Sequence, residues 1–344
     1  MLSQEFIRQI DATESKIIVF SVVRNEMLRL PAFLAHYRKM GVSTFAIIDN
    51  GSSDGTGAYL ANQPGVILSQ STESYAASLF GMHWLNELHQ RIRPNTWVLY
   101  ADADELIVYD DWPRQKITSL LTNVDAASAN VIYGFMLDMY PDGPLENAHM
   151  AGEDLFAAAP YFDNQYYFRE RPVKPWEPKY KALEVIGGPR LRLLSSFKKE
   201  VKSTWVDYVL RGQIDRILAI SPDQLLPAVV RYWPKQLPVL VKVPLVKSGS
   251  GFQYVNGCHT GSGGKPYHRS IVLCHFKFLS DFDQRVRNEV KRGEHYRRGA
   301  EYMMYLDAIK KHGSINLRYS GSTRFEGAHQ LSEMKFLRNV AGFF

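Results

Sequence analysis

Short apolar runs separated by amphipathic stretches fill the first third of the chain. Residues 16–23 (KIIVFSVV) are β-branched and almost continuously hydrophobic, the pattern of a strand buried on both faces. After the polar turn Arg24-Asn25-Glu26, Leu30, Phe33, Leu34 and Tyr37 recur at helical spacing. Pro31 is tolerated near the start of that helix and Gly41 stops it. Residues 44–49 (TFAIID) predict a second strand, which runs into the polar turn Asn50-Gly51-Ser52-Ser53-Asp54-Gly55-Thr56 with a helix cap to follow. Residues 66–69 predict a third strand, and 75 to about 91 a long helix with Phe80, Trp84 and Leu88 on one stripe. A fourth strand, 96–101 (TWVLYA), ends in Asp102-Ala103-Asp104-Glu105.

Strands alternating with helices predict an α/β fold: a Rossmann-like, mostly parallel sheet with right-handed crossovers, flanked by helices. In such sheets ligands bind beyond the carboxyl ends of the strands, where Asp49 and Asp102 both fall. Beyond residue 125 the periodicity weakens. Residues 130–137, 239–246 and 270–276 predict further strands, and 281–312 two helical segments broken near Gly293. Residues 138–190, rich in Pro, Gly, Tyr and acids, read as substrate-shaping loops. The expected organisation is one catalytic domain over 1–280, its nucleotide-binding half at about 14–125 and its acceptor half at about 126–280. A helical C-terminal extension over 281–344 follows.

Composition narrows the function classes. Of 344 residues, 45% are hydrophobic, which supplies a large core. The net charge of +6 is concentrated in basic residues over 285–311, and suits a diphosphate ligand or an anionic membrane surface. No zinc-finger, RNP or helix-turn-helix signature accompanies it, which argues against nucleic acid. Two cysteines, Cys258 and Cys274, do not make a disulfide scaffold and fit a reducing compartment. The first 14 residues lack a signal-peptide apolar core, and no run of 18 apolar residues occurs. The expected placement is cytoplasmic, with peripheral attachment at an inner membrane face compatible with the basic excess. No obligate protein partner is evident.

Asp102 and Asp104, one residue apart on an extended segment, would project to the same side. Paired hard oxygen ligands suit Mg²⁺ or Mn²⁺, with substrate phosphates and water completing the coordination. An Asp-rich strand-to-loop turn is the plainer alternative. The surrounding motifs strengthen the metal reading. Val22-Val23-Arg24-Asn25-Glu26, Ile48-Asp49-Asn50-Gly51-Ser52-Ser53-Asp54-Gly55-Thr56 and Tyr100-Ala101-Asp102-Ala103-Asp104-Glu105 resemble, in order and context, the family 2-type glycosyltransferases of the GT-A fold. The match is to the subgroup whose acid motif reads Asp-x-Asp-Glu. Later segments resemble that subgroup too: Gly187-Gly188-Pro189-Arg190-Leu191-Arg192, Lys242-Val243-Pro244-Leu245-Val246, His259, and Leu273-Cys274-His275-Phe276-Lys277-Phe278.

The resemblance implies a UDP- or GDP-linked sugar donor, a divalent cation and a glycan or lipid-linked acceptor. It places Val23, Arg24, Asn25, Glu26, Asp49, Asn50, Asp54, Asp102 and Ala103 at the nucleotide-sugar site. Asp49 would bond the base, Asp102 would face ribose and metal, Asp104 would bind the metal, and Glu105 would orient a metal ligand. A charge at a helix N-terminus is the plainer account of Glu26. A late histidine would complete the metal site: His275, which ends a predicted strand, ahead of His259 in a Gly- and Ser-rich loop, against a structural role for either. A Cys258/His259/Cys274/His275 zinc site is disfavoured, because neighbours on extended chain point apart.

An inverting transfer needs a base to deprotonate the acceptor, and Glu153, Asp154 and Asp138 are the candidates, with Asp163 an alternative. Arg190, Arg192 and Lys242 are placed to meet phosphates, with Lys247, Lys277 and Arg292 as further cations. Two competing classes stay open: a nucleotidyltransferase, although no Gly-rich triphosphate loop occurs early in the chain, and a non-catalytic nucleotide-binding protein on the same fold.

Overall fold

The computed structural model describes residues 1–150, 154–170, 183–194, 239–255, 257–294 and 296–341. After α1 (Gln4–Ala12), capped by Ser3, the run IIVFSVV forms β1 (Ile17–Val23), buried throughout except at Val22. There follow α2 (Leu30–Lys39), β2 (Phe45–Asp49), α3 (Thr56–Ala61), β3 (Val66–Gln70), α4 (Met82–Arg91) and β4 (Trp97–Tyr100). The helix expected from residue 75 forms only from Met82. Leu79, Phe80 and Gly81 all take positive φ (51°, 58° and 82°), which no helix accommodates.

A tight turn leads into β5 (Glu105–Val108), then α5 (Ile117–Ala126) and β6 (Val131–Asp138). Smaller elements follow: α6 (Leu155–Ala158), β7 (Tyr161–Asp163), the hairpin of β8 (Tyr166–Glu170) with β9 (Leu183–Gly187), and α7 (Gly188–Leu194). Next come β10 (Val241–Lys247), the β11 (Gln253–Tyr254) and β12 (Gly261–Ser262) pair, and β13 (Ile271–His275). The chain continues with α8 (Phe282–Arg292), α9 (Tyr296–His312), β14 (Ser322–Arg324) and α10 (Ala328–Glu333). Gly293, at φ +66°, ends α8.

Eight strands form one sheet in the order β3-β2-β1-β4-β10-β6-β13-β5. The first four are mutually parallel, as the alternating pattern predicts. Two reversed strands make the sheet mixed: β10 runs antiparallel to β4 and β6, and β5 antiparallel to β13, while β6 and β13 are parallel to each other. In a flat sheet β4 and β5, four places apart, would lie roughly 19 Å from each other. The turn between them is closed by a bond from the Glu105 N–H to the Asp102 carbonyl at 2.9 Å, far too tight to span that gap, so the sheet curls until its β5 edge returns toward β4. Helix α2 fills the space between. Tyr37 Oη donates to the Glu105 carbonyl (2.9 Å) and accepts from the Ile107 N–H (3.3 Å), while His36 Nε2 lies 2.9 Å from the Ile107 carbonyl. The outer edge of β5 is thereby satisfied by side chains instead of another strand.

The main core runs along both faces of the sheet, with Phe20, Phe33, Tyr37, Phe45, Tyr100, Phe135 and Phe276 fully buried. A second cluster, including Tyr140, Phe278, Phe282, Val286, Tyr305 and Ile309, lies under α8 and α9. Beyond His312, β14 pairs with β7 in a separate two-stranded sheet, and the Val340 N–H donates to the His268 carbonyl ahead of β13. Among the described residues no helix is long and apolar enough to cross a membrane.

Candidate functional site

The strand order reverses between β1, which continues to β2, and β4 on its other side, and sheets of this kind bind ligands beyond the carboxyl ends of the strands at such a reversal. The two loops that follow β1 and β2 there are stitched together. The Asn25 N–H donates to Ser52 Oγ (2.9 Å) and Asn25 Oδ1 accepts from the Ser53 N–H (2.7 Å). The Glu26 N–H donates to Thr56 Oγ1 (3.0 Å), the Met27 N–H to Asp54 Oδ2 (3.1 Å), and Arg24 Nη1 to the Asn50 carbonyl (2.9 Å). Asp49, buried at the end of β2, accepts the Ser52 N–H on Oδ1 (2.9 Å). Its Oδ2 faces Gly57, where a Cβ would stand 2.6 Å away. Asn50 donates to the carbonyls of Ser71 and Glu73 and accepts from Arg292 Nη2 at 3.0 Å. Asn25, Asp49, Asn50 and Asp54, all expected at the nucleotide, therefore spend bonds shaping the loops. Val23 and Ala103 are buried in the core beneath them.

The acid motif bends rather than extends. Residues 102–105 form the turn described above, so the alternation expected of extended chain does not apply and the two aspartates diverge. Asp102 is partly exposed: Oδ1 accepts from Tyr100 Oη (3.0 Å) and Oδ2 from Lys242 Nζ (2.7 Å). Asp104 is buried, with Oδ2 3.5 Å from His275 Nε2 and 3.4 Å from Arg285 Nη1. Asp104, Glu105 and His275 each offer one ligand atom, and these atoms lie within 4.8 Å of one another. Hard carboxylate oxygens with an imidazole nitrogen form a donor set for a divalent cation. Asp102 lies outside this group, joined to it by Lys242, whose Nζ also stands 2.5 Å from Glu105 Oε1.

His275 is fixed from behind. It ends β13 in register with Asp138 on β6 and Glu105 on β5, so the three side chains share one sheet position. Its Nδ1 lies 2.6 Å from Asp138 Oδ1, and Asp138 Oδ2 accepts from Arg190 Nε at 2.8 Å. Burial opposes a charge on His275, but Asp104 and Asp138 outweigh it and raise its pKa. Burial likewise opposes the Asp104 charge, yet His275 and Arg285 hold this carboxyl well below the usual range. Burial pushes Glu105 up to about 7 despite Lys242, and Glu26 up to about 7 despite Arg285 and Arg29.

His259 is held apart, with Nδ1 2.7 Å from the Val241 carbonyl, and burial lowers its pKa to about 4. The thiols of Cys258 and Cys274 are buried, and burial pushes Cys258 up to about 12. Among the described residues neither joins a metal-ligating group. Asp154 caps α6, accepting the Ala157 N–H at 3.1 Å, and is exposed. Glu153 lies outside the described residues. Arg192 forks onto Asp163 (2.8 and 2.9 Å), so both arginines expected at phosphates are bound to buried carboxylates. Lys247 pairs with Asp125 and Lys277 with Glu301.

Sequence reasoning gave Glu105 only an orienting role and assigned no role to Arg29. Arg285 entered it only as part of a basic stretch. Arg285 sits beside the buried stripe Phe282/Val286 of α8, and this spacing marks it as inward-facing; nothing in the pattern singles out Arg29. No protein-family model matches the chain, and a comparison with curated proteins finds no match.

Proposed function

We propose that this chain is a metal-dependent glycosyltransferase of the GT-A, family 2 type, using Mn²⁺ or Mg²⁺ and a UDP- or GDP-linked sugar. One observation carries the reading: the Asp104–Glu105–His275 group gathers just beyond the carboxyl end of β4, one of the two strands at which the strand order reverses. The ion pairs around it support the reading: Arg29 and Arg285 join Glu26, Asp104 and Asp281, Lys242 joins Asp102 and Glu105, and Arg190 joins Asp138, so carboxylates outnumber permanent cations at this place.

In this reading Asp104, Glu105 and His275 hold the cation, and Asp138, braced by Arg190, orients the imidazole. The bound metal supplies Lewis-acid neutralisation of the departing diphosphate. Lys242 bridges Asp102 and Glu105 from its buried position on β10. The stitched loops of Asn25 and Asp49 form the floor for the nucleotide. Asp138 and Asp163 are each bound to an arginine, which disposes them to hold geometry rather than take a proton. Asp154, exposed at the head of α6, is the better base for deprotonating a glycan or lipid-linked acceptor.

Calorimetry with UDP and GDP, with Mn²⁺ or with excess chelator, tests this directly. Binding should require the metal and fail in Asp104→Ala, and nucleotide-sugar hydrolysis should follow the same dependence. Equal nucleotide affinity in chelator would overturn the metal role. Triphosphate turnover without nucleotide-sugar hydrolysis would favour a nucleotidyltransferase, and binding with neither activity a non-catalytic protein.

A further inference from the structure

Arg29 is fully buried and lies outside the motifs that carry the metal reading, yet it contacts three parts of the site at once. Its Nε donates to the Phe276 carbonyl at 3.0 Å. The Phe276 N–H in turn donates to the Asp104 carbonyl at 2.7 Å, so this one residue, directly after His275, also fixes the backbone of Asp104. Both Arg29 Nη atoms fork onto Asp281 at 2.7 Å. Asp281 is the N-cap residue of α8, and its carbonyl accepts from the Arg285 N–H at 2.9 Å, one turn before Arg285 reaches Asp104 and Glu26. Arg29 Nη1 also stands 3.7 Å from Glu26 Oε2.

We infer that Arg29 and Asp281 are a positioning pair, which sets the separation between the Asp104–Glu105–His275 group and the Arg285 guanidinium. The inference rests on the reading of that group as a divalent-cation site. Two covalently distant pieces must meet there: the β13 end that delivers His275, and the α8 turn that delivers Arg285. A planar fork on one carboxylate, with Nε on a backbone carbonyl, fixes distance and angle together, which a lysine ammonium cannot do.

A comparable fork elsewhere in the sheet provides the control. Arg269 Nε and Nη2 bond Asp110 at 2.9 and 2.7 Å, joining the segment that leads into β13 to the segment that leaves β5, at the end of these strands remote from His275. The test uses the full chain, with Mn²⁺ alone as the probe. Free Mn²⁺ is followed by electron paramagnetic resonance, and melting is followed in parallel, for wild type, Arg29→Lys, Asp281→Asn and Arg269→Lys. Arg29→Lys and Asp281→Asn should weaken Mn²⁺ binding by about 10- to 100-fold, the range for residues that orient metal ligands. Arg269→Lys should lower the melting temperature and leave Mn²⁺ affinity unchanged. If Arg29→Lys does not fold, Asp281→Asn decides alone. Wild-type affinity in Asp281→Asn, or an equal loss in Arg269→Lys, overturns the positioning role while the metal site stands. Absence of Mn²⁺ binding by the wild type overturns the metal reading, and the positioning role with it.

Discussion

Asp138 bonds His275 Nδ1 through one carboxylate oxygen, at 2.6 Å, and Arg190 Nε through the other, at 2.8 Å. The arginine braces the acid, the acid fixes the ring, and Nε2 is left turned toward Asp104. His259 has no such brace: its Nδ1 meets a backbone carbonyl. His275→Gln should therefore weaken Mn²⁺ binding at least about tenfold, the lower bound for loss of metal-site geometry. His259→Gln should bind Mn²⁺ like the wild type in the same titration. The reverse ordering would move the metal to the β10 side of the site.

Lys242 holds Asp102 and Glu105 together from a buried position on β10. Removing one partner of a buried ion pair leaves an uncompensated charge, at a cost of about 3–5 kcal/mol. Lys242→Met should show a loss of that order in metal-free buffer. In the proposed site Mn²⁺ would bring positive charge to Glu105, one of these two carboxylates, so the variant should gain more melting temperature from the metal than the wild type does. Equal gains in differential scanning calorimetry would show that the ion and the ammonium act on separate charges.

Gly57, in the first turn of α3, leaves room for Asp49: a Cβ there would sit 2.6 Å from Asp49 Oδ2. Gly57→Ala gains helix propensity, worth about 1 kcal/mol, but must displace the carboxylate or the helix. Asp49→Ala removes the carboxylate itself and a bond to a charged group, worth about 1.5–3 kcal/mol. Both variants should weaken UDP or GDP binding in calorimetry while the fold survives. Wild-type affinity in both would take the Asp49 loop out of the nucleotide site.

The parallel half of the sheet is written into the sequence, because strands buried on both faces have no polar alternation. KIIVFSVV, TFAIID and TWVLYA announce themselves by composition alone. The curl is not. It depends on β10 and β13, more than 130 residues further on, entering between β4 and β5. His275 was legible as a strand-ending histidine, but its partner Asp138 was visible only as an acid at another strand end. Their pairing is a fact of register between β6 and β13. The divergence of Asp102 from Asp104 was hidden for a related reason: the spacing of two aspartates fixes their relative direction only once the backbone is known to be extended, and here it turns.

Three buried histidines should make the fold sensitive to acid. Burial lowers His36, His89 and His259 each to about 4, below the ordinary 6.5. As pH falls from 6.5 toward 4 the unfolded chain takes up protons at these positions that the folded chain refuses, so stability falls over that window. Fully developed, each histidine accounts for a loss on the order of 3 kcal/mol. His89 and His36 separate this effect from hydrogen bonding. Neither ring nitrogen of His89 has a hydrogen-bond partner among the described residues, and its ring lies 6.0 Å from that of Tyr254. His89→Leu should therefore match or exceed wild-type stability at pH 7 and lose less between 6.5 and 4. His36 bonds the Ile107 carbonyl on the β5 edge, so His36→Leu should cost about 1 kcal/mol at pH 7, although its acid limb is also shallower. Urea unfolding at half-unit pH steps measures both curves. Variant curves running parallel to the wild type from pH 7 to 4 would show that these imidazoles take up protons as readily in the folded protein as in the unfolded chain.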